Sequence, residues 1–274
     1  KTKWTKLKIT NKYDFVNLPW WESFNDEYLN GYIQQAVEHN YNLQAASLSV
    51  DEYYQSVKAQ MANELPSVGA GFIPGYGGTQ HDSNGSMFFP IMVNYEADIF
   101  LKNHDKTKSS KKTYEASIQD ERAAYITVVS AVGTTYFNII QLDKLIQSQK
   151  QINKLRKDIY NAMVISNREG VTSTSDVVKA NKALVMGDAT LLDLEKTRIQ
   201  ALNQLAVLIG ESPANSASLK RSTYDNIVYK FDAPNEISSE IITQRPDYLK
   251  SEIMLQKAGI DVRVAKKEFL PSIN

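Results

Sequence analysis

The chain contains no cysteine and, over 274 residues, only eight prolines and three histidines. Without cysteine it has no disulfide, no thiolate metal site and no cysteine nucleophile, an absence that fits cytoplasm, periplasm and membrane equally well. Basic and acidic residues balance at 31 each, so no net charge favours nucleic acid as a partner. The first residues, Lys1-Thr2-Lys3, are not an apolar leader. Either a signal peptide was removed before Lys1 or none existed.

The sequence also lacks the patterns of catalytic and metal sites. His39, His81 and His104 lie in unrelated segments, with neither metal-ligand spacing nor a neighbouring serine nucleophile. The cluster Gly75-Tyr76-Gly77-Gly78 is typical of a turn and is not followed by the Gly-Lys-Ser or Gly-Lys-Thr of a phosphate loop. The sequence therefore predicts no enzymatic activity, no metal site and no cofactor.

Proline is absent between Pro90 and Pro213. Apolar residues recur at heptad spacing through much of that stretch, which predicts a long helical hairpin with antiparallel arms. The arms are expected from about Asp105 to Arg168 and from about Thr174 to Ile209. The first arm would measure about 95 Å at 1.5 Å per residue, whereas a mean globular helix has about 11 to 12 residues. No compact domain of this size would hide such a rod.

Each arm has one predicted apolar seam, with residues at alternating steps of three and four. The predicted seam of the first arm consists of Leu145, Ser148, Ile152, Leu155, Ile159, Ala162 and Ser166. The predicted seam of the second arm consists of Val177, Ala180, Leu184, Gly187, Leu191, Leu194, Arg198, Ala201, Leu205 and Leu208. In the turn, Gly170 is expected to end the first helix and Ser175 or Asp176 to cap the second.

An earlier segment, roughly Asp26 to Asn63, also has helical periodicity. Its apolar face consists of Leu29, Ile33, Val37, Leu43, Ala46, Val50 and Val57. We expect this helix and the second arm to lie end to end beside the first arm. Since three thin helices cannot cover one another completely, the rod is expected to have neighbouring copies.

One part of the first arm could be mistaken for a membrane span. Residues 123–142 carry no charge and have about the right length. Their interior nevertheless contains Thr127, Thr134 and Asn138, which favours a buried helix of a bundle over a helix in lipid.

Two segments between the helices have the period of two that is typical of strands. One is the run from Pro66 to Tyr76, with Val68 and Phe72 on one face, and the other is the run from Ile91 to Ile99. The Gly-rich residues 77–85 are expected to form an exposed loop between them. The simplest interpretation is a small soluble β-hairpin.

The alternative interpretation places this hairpin in a membrane, with its apolar face towards lipid and its polar face towards a water-filled lumen. The lipid-facing residues would be Ile91, Val93 and Tyr95, and the lumen-lining residues Asn94, Glu96 and Asp98. Hydrocarbon does not tolerate the open edges of a lone hairpin, so this interpretation requires strands from elsewhere and hence oligomerisation.

An internal repeat relates two parts of the chain at a constant shift of 205 residues. The shift aligns Asn42 with Asp247, Leu48 with Ile253, Val50 with Leu255, Val57 with Val262, Lys58 with Arg263, and Leu65-Pro66-Ser67-Val68 with Leu270-Pro271-Ser272-Ile273. A second helix-to-strand unit thus begins shortly before Asn274. We expect the chain to be part of a longer polypeptide with two repeats.

Several motifs, in their order and spacing, resemble the TolC-like outer-membrane factors, close to the branch of multidrug-efflux outer-membrane lipoproteins. The motifs are Trp20-Trp21 with Phe24, Asp26 and Leu29, then Asn42-Leu43, Leu65-Pro66-Ser67, Tyr95-Glu96-Ala97-Asp98-Ile99-Phe100, Arg168-Glu169-Gly170 with Asp176-Val177, Leu205 to Pro213, and Arg245-Pro246-Asp247. Each motif is weak alone, but together they cover nearly the whole chain.

The resemblance implies a homotrimer in the outer membrane of a Gram-negative bacterium, with a shared transmembrane β-barrel and a long periplasmic α-barrel. Such a passive conduit performs no chemistry and exports its cargo with a periplasmic adaptor and an inner-membrane pump. The tip residues that would contact the adaptor are Arg168, Glu169, Gly170, Val171, Thr172, Ser175 and Asp176. The alternative function is that of a soluble coiled-coil adaptor or tether without channel activity.

The predicted fold class is mainly α, with a long antiparallel coiled-coil hairpin and two barrel strands, truncated after the first repeat. The expected divisions are an N-terminal extended segment over 1–25, a first-repeat helix over 26–63, a β-hairpin over 64–101, the coiled-coil hairpin over 102–210, an equatorial linker over 211–238 and the start of a second repeat over 239–274.

Overall fold

The computed structural model describes residues 19–79, 82–228 and 239–271. Most of the expected extended segment 1–25, the loop residues Gln80 and His81, the end of the expected linker and the last three residues lie outside this described part. The chain divides into two compact units. The first unit comprises residues up to Gln44 together with Ala124 to Ser238, and the second comprises Ala45 to Ala123 together with the residues from Ser239 onwards.

The single helix expected over 26–63 is two helices, α1 (Glu27–His39) and α2 (Tyr41–Ala62). Asn40 separates them because its backbone is extended and its side-chain oxygen accepts hydrogen bonds from the N–H groups of Asn42 and Leu43. The predicted apolar face is correct, since its residues are buried or half-buried. The sequence did not reveal the break at Asn40, because asparagine occurs on the exposed surfaces of helices as well as at helix caps.

The predicted helical hairpin is confirmed: α3 (Lys102–Arg168) has 67 residues and α4 (Thr174–Leu208) has 35. The seam predicted for α4 is buried or half-buried throughout. The seam predicted for α3 is wrong, because its large apolar residues Leu145, Ile152, Leu155 and Ile159 are exposed. The covered line of α3 instead consists of Leu142, Ile146, Gln149, Asn153, Arg156, Tyr160, Met163 and Asn167.

The core of the first unit is formed by α1, the middle of α3 and the end of α4. Its largest fully buried side chains are Tyr136, Leu29, Ile33, Ile139, Ile140, Leu205, Ile209 and Val132. Within the described residues, α3 is the one helix that is long and apolar enough, by length and composition, to cross a membrane. The residues that α3 contributes to the core lie inside the uncharged stretch 123–142. Packing in the core of the first unit therefore explains why this stretch is apolar.

A hydrogen-bond network around Tyr136 connects the start of α1 to the segment after α4. The Tyr136 hydroxyl donates to the Asp26 carboxylate over 2.7 Å and accepts from the backbone N–H of Ser222 over 3.1 Å. Asp26 also caps α1 by accepting from the N–H groups of Tyr28 and Leu29. The buried carboxylate of Asp26 therefore caps α1 and also orients the Tyr136 hydroxyl, which binds the linker after α4 at Ser222.

Asp143 of α3 binds two arginines, one in α4 and one in the same linker. Arg198 of α4 donates to its carboxylate over 3.2 Å, and the guanidinium of Arg221 contacts both of its oxygens. Burial alone would raise the pKa of Asp143, but the hydrogen bonds from Arg221 and Arg198 outweigh burial and keep that pKa below its ordinary value. Arg221 thus fixes the linker against α3, and Arg198 of α4 binds the same carboxylate.

In the second unit, α5 (Pro246–Lys267) is joined to the first part of α3 by ion pairs. Lys267 lies 2.7 Å from the Asp105 carboxylate and Lys250 lies 2.8 Å from that of Asp120. The hydrogen bond from Lys267 is the main reason why the pKa of Asp105 is lowered, against an opposing effect of desolvation. The bounds of α5 equal those of α2 shifted by 205 residues, the shift of the predicted repeat.

Four short strands form the β-hairpin of the second unit: β1 (Ser67–Ala70), β2 (Ile73–Thr79), β3 (Asp82–Phe88) and β4 (Ile91–Asn94). β1 pairs antiparallel with β4, and β2 with β3. The first predicted strand is therefore interrupted at residues 71 and 72, and the returning side of the hairpin is interrupted at residues 89 and 90. Pro90 has no N–H to give to the ladder, which explains the break before β4.

The strand bounds correct two expectations. The strand expected from Ile91 to Ile99 ends at Asn94, because the chain then turns into the cap of α3. The loop expected over 77–85 is mostly strand, because β2 continues to Thr79 and β3 begins at Asp82. Ladder hydrogen bonds are made by the backbone, so the Gly-rich run pairs despite its poor strand propensity.

Candidate functional sites at the hairpin tip and the β-hairpin

The turn between α3 and α4 closes α3 with backbone hydrogen bonds. Gly170 adopts a positive φ of 74°, as expected. The N–H of Gly170 donates to the Asn167 carbonyl over 3.0 Å, and the N–H of Val171 donates to the Ser166 carbonyl over 2.9 Å. These two bonds are those of a Schellman motif, in which a left-handed glycine satisfies the last carbonyls of a helix.

Ser173, rather than the expected Ser175 or Asp176, caps α4. Its hydroxyl oxygen accepts from the N–H of Asp176, while the same hydroxyl donates to the Asp176 carboxylate over 2.7 Å. Lys179 lies 3.3 Å from that carboxylate. The hydrogen bond from Ser173, followed by the contacts of Lys179, lowers the pKa of Asp176. The sequence carried this signal, since Ser and Asp three positions apart form a capping box in which Asp replaces Glu.

The side chains at the tip point away from the protein. Val171 is 77% exposed, and Arg168, Glu169 and Ser175 are exposed as well. The backbone of the turn is satisfied internally, so these side chains are available for a partner. A charged pair of opposite sign beside an exposed valine suits a small apolar contact with a polar rim.

The β1–β4 ladder has two chemically different faces. Its register pairs Val68 with Val93 and Ala70 with Ile91, so these four apolar side chains share one face. Ser67 pairs with Asn94 and Gly69 with Met92 on the other face. Ile91 and Val93 of β4 are exposed on the first face, and Met92 is exposed on the other. A small hairpin with one uncovered apolar face has the pattern of a strand pair from a membrane barrel.

Aromatic side chains cluster where the hairpin is interrupted. Phe72 and Phe89 have ring centroids 5.3 Å apart, and both rings are exposed together with Phe88. Exposed aromatic residues flank the apolar band of transmembrane barrels, where their rings lie at the membrane interface. The run Phe88-Phe89-Pro90 is the sequence signal of this cluster, and Phe72 joins it only through the fold.

The other candidate lumen residues lie beyond β4. Glu96 is 3.2 Å from Lys102, and the Asp98 carboxylate accepts hydrogen bonds from the N–H groups of Asn103 and His104. Asp98 therefore starts α3, a local role that the strand prediction missed. Among the six candidate lipid-facing and lumen-lining residues, only Ile91, Val93 and Asn94 belong to a strand.

Both arms of the helical hairpin carry an additional apolar stripe that faces away from the other arm. The outer stripe of α3 consists of Leu145, Ile152, Leu155 and Ile159, and the outer stripe of α4 consists of Val178, Val185, Leu192 and Ile199. The α4 residues recur at steps of seven, which is the coiled-coil period. Because a hairpin needs one seam for its own closure, two further stripes indicate two further neighbours.

Many charged side chains of the described residues form ion pairs or hydrogen bonds with one another. Across 19–79, 82–228 and 239–271, no three His, Cys, Asp or Glu side chains lie close enough to hold a metal ion. A cavity of about 540 Å³ in the first unit is lined by residues including Asp143 and Asp225, whose carboxylates pair with Arg221 and Lys144. His104 lies 3.6 Å from Glu64, and His81 lies outside the described residues.

Comparison with known proteins gives consistent matches. A family model described as "Outer membrane efflux protein" matches residues 32–211. The "Probable efflux pump outer membrane protein TtgC" of Pseudomonas putida is 27% identical over 269 residues, which covers 93% of this chain and 54% of that protein. The "Cation efflux system protein CusC" of Escherichia coli O157:H7 is 25% identical over 268 residues, covering 95% of this chain and 57% of that protein. The chain thus spans little more than half of the curated relatives it matches.

The fold is similar to that of solved outer-membrane channels. The crystal structure of the Campylobacter jejuni CmeC outer membrane channel matches with a TM-score of 0.80 and 25% sequence identity, over 93% of this chain and 56% of that one. Together with the long hairpin and the β-strands, this match confirms the predicted fold class.

Proposed function

This chain belongs to the outer membrane efflux protein family, and we propose that the complete protein is a passive channel for small-molecule export in the outer membrane of a Gram-negative bacterium. In this proposal a periplasmic adaptor docks on the channel, and an inner-membrane pump supplies the energy. The names of the relatives, which refer to efflux pumps and cation efflux systems, support this assignment.

One observation carries the proposal: the chain combines a β-hairpin with an uncovered apolar face and a helical hairpin with two uncovered apolar stripes. Water would solvate neither surface favourably. Lipid on the first surface and neighbouring helices on the second would remove both costs. A soluble tether, the alternative function, needs the helical stripes but not the apolar hairpin face.

The proposed assembly is a homotrimer. Neighbouring copies and further helices of the complete protein would cover the outer stripes of α3 and α4. α5 supports this arrangement, because its residues Tyr248, Leu255 and Val262 align at the repeat shift with Leu43, Val50 and Val57 of α2 and yet are exposed. The face that is buried in α2 thus lacks its cover in α5.

Within the proposed barrel, Ile91, Val93 and Tyr95 face lipid, and Asn94 faces the lumen. Glu96 and Asp98 would place negative charge at the end of the lumen, beside the start of α3. At the tip of the helical hairpin, residues 168–176 would contact the adaptor through the exposed side chains of Arg168, Glu169 and Val171. The closed backbone of this turn supports a docking role, since it presents those side chains without rearrangement.

A pair of lysine substitutions tests the membrane part of this proposal. Ile91→Lys would place a charge on the apolar face of β4, whereas Met92→Lys would place it on the opposite face of the same strand. A lysine that faces the middle of a bilayer costs roughly 2–4 kcal/mol, and less near its surface. The measurement is the fraction of the complete protein that stays in membranes until detergent is added. Ile91→Lys is expected to reduce this fraction, and Met92→Lys is expected to leave it unchanged.

The outcomes separate the two candidate functions. If alkaline carbonate releases the unsubstituted protein from membranes without detergent, the proposed channel function is wrong and the function of a soluble tether is favoured. If both lysine variants remain in the membrane like the unsubstituted protein, the assignment of the two faces is wrong.

A further inference from the structure

The seam between α3 and α4 contains a group of polar residues in the middle of an otherwise largely apolar contact. This group, called the polar layer below, consists of Gln149, Asn153 and Arg156 from α3 and Gly187 and Asp188 from α4. Asn153 is only 8% exposed although its side chain is an amide. The layer lies inside the first unit, with Ile146 on one side of it along α3.

The side chains of the polar layer bind α4 at defined positions. The Asn153 amide donates to the Asp188 carboxylate over 3.0 Å. Gln149 donates to the Asn153 oxygen over 2.8 Å and to the Gly187 carbonyl over 3.4 Å. Arg156 donates to the Ala183 carbonyl over 3.1 Å. Two of these four acceptors are backbone carbonyls of α4, so the polar side chains of α3 approach the backbone of α4 closely at this point.

Gly187 leaves the space that the polar layer fills. A Cβ atom at this position would lie 2.3 Å from the Asn153 oxygen and 2.6 Å from an Arg156 nitrogen. Both distances are far below van der Waals contact. Gly187 is the one glycine of the α4 seam, where the other positions are alanine, leucine, valine or arginine.

A shift of the arms past each other would therefore lose the layer. Sliding α4 by one heptad would bring Ala180 or Leu194 opposite Asn153 in place of Gly187. Either residue would put a Cβ into the occupied space. Asn181 or Glu195 would take the place of Asp188 and still offer an oxygen to Asn153, so the missing side chain of Gly187 is what distinguishes the observed register. The remaining apolar seam would tolerate such a shift, since leucine and alanine recur along it at heptad spacing.

We infer that the polar layer is the register lock of the helical hairpin, and that it positions the tip for its partner. A buried polar group in a coiled coil fixes register at a cost in stability. The need for a lock is visible in α3, whose outer stripe is more apolar than the line that faces α4. Apolar burial alone would not select the observed face. The link to the tip rests on the proposed docking of an adaptor, whereas the lock itself does not.

Distances between spin labels on the two arms measure the register directly. Asp158→Cys and Lys182→Cys, both at exposed positions near the layer, provide the labelling sites, and any cysteine of the complete protein outside these 274 residues is replaced by serine. The complete protein is compared with its Gly187→Ala and Asn153→Leu variants. Gly259→Ala is the matched control, because a Cβ at Gly259 would meet no atom within 4 Å.

The lock predicts one narrow distance distribution for the unsubstituted protein and for Gly259→Ala. It predicts a broader distribution, or a second peak, for Gly187→Ala and for Asn153→Leu. Asn153→Leu is decisive, because a leucine seam is expected to raise the melting temperature while it loosens the register. Narrow, unchanged distributions in both layer variants would overturn the inference. Binding of the tip to a purified adaptor is measured separately, so a failure of the docking proposal leaves the distance result standing.

Discussion

Trp20 shows how one glycine can support a distant aromatic side chain. Its ring packs on α3 at Gly133, where a Cβ atom would lie 2.4 Å from the ring. Trp20 also makes edge contacts with Trp21 and Phe24, whose ring centroids lie 5.8 and 6.1 Å away. The Trp20-Trp21 motif is visible in the sequence, but its partner Gly133 is not, because 112 intervening residues separate Trp20 from Gly133.

Gly133→Ala is expected to lower the free energy of unfolding by about 2 kcal/mol, because the rigid indole must move out of its site. Gly31→Ala is the matched control. Gly31 is exposed in α1 with open space around it, so the same substitution should stabilise by roughly 0.5–1 kcal/mol. Thermal melting followed by circular dichroism, together with tryptophan fluorescence, measures both effects. Equal melting temperatures for the two variants would contradict the packing of Trp20 on Gly133.

Asp143 makes stability depend on pH in a defined direction. Its pKa is lowered in the folded state, because the hydrogen bonds from Arg221 and Arg198 outweigh its burial. Such a group contributes its full stabilisation above the unfolded pKa, which is about 4, and loses it as the pH falls through the lower folded value. The melting temperature should therefore fall in acid below about pH 4.

Asp143→Asn should melt at a lower temperature than the unsubstituted protein at pH 7 and show a smaller further decrease in acid. Asp225→Asn is a suitable control, because Asp225 pairs only with the exposed Lys144 in the described part of the chain. Surface pairs of that kind contribute little to stability. Parallel acid curves for Asp143→Asn and the unsubstituted protein would show that another group governs the acid dependence.

At the scale of elements, periodicity predicted the hairpin well but assigned one of its faces wrongly. α3 and α4 end within a few residues of the expected bounds, because proline is absent and Gly170 provides a local stop signal. The error on α3 has a physical cause. In a helix with neighbours on two sides, the more apolar stripe need not face the arm that follows in the chain. Gln149, Asn153 and Arg156 are polar and gave no apolar signal, and only their hydrogen-bond acceptors explain their position in the contact with α4.

The β-hairpin illustrates a different limit of sequence interpretation. Alternation correctly placed Ile91 and Val93 on one face, because side chains on a strand alternate whatever surrounds them. It could not predict where the strand ends. Glu96 and Asp98 continue the alternating pattern, yet Asp98 is drawn to the free N–H groups of α3, and a helix cap of this kind depends on the residues that follow it.

At the scale of the whole molecule, the resemblance to TolC-like factors is confirmed by the family match over residues 32–211. The order and spacing of weak motifs identified the family correctly, because each motif corresponds to a local structure that the fold requires. Examples are the end of a helix, a helix cap and a strand-to-helix junction. The contacts that hold the linker after α4, above all Arg221 with Asp143, were not predictable. Nothing local in the sequence pairs residues so far apart.

The outer stripes predict how the assembly responds to charge. Leu155 of α3 is 63% exposed, and Leu155→Glu would place a carboxylate where we expect a neighbouring helix. If the complete protein is the proposed homotrimer, the variant should lose the trimeric mass in light scattering while keeping its helical circular dichroism. Lys154→Glu introduces the same group at an adjacent exposed position and should leave the trimer intact. Intact trimers of Leu155→Glu would show that this stripe faces solvent in the assembled protein.

The closed turn at the hairpin tip has a consequence for evolution. Gly170 and Ser173 complete the ends of the two helices, so mutations at Glu169, Val171 or Ser175 change the surface with little penalty to folding. If the tip docks on an adaptor as proposed, substitutions at these three positions would alter which partner is accepted while the scaffold stays constant. Paralogues could diverge in pairing specificity by a few substitutions, and selection on the tip would be separable from selection on the rod.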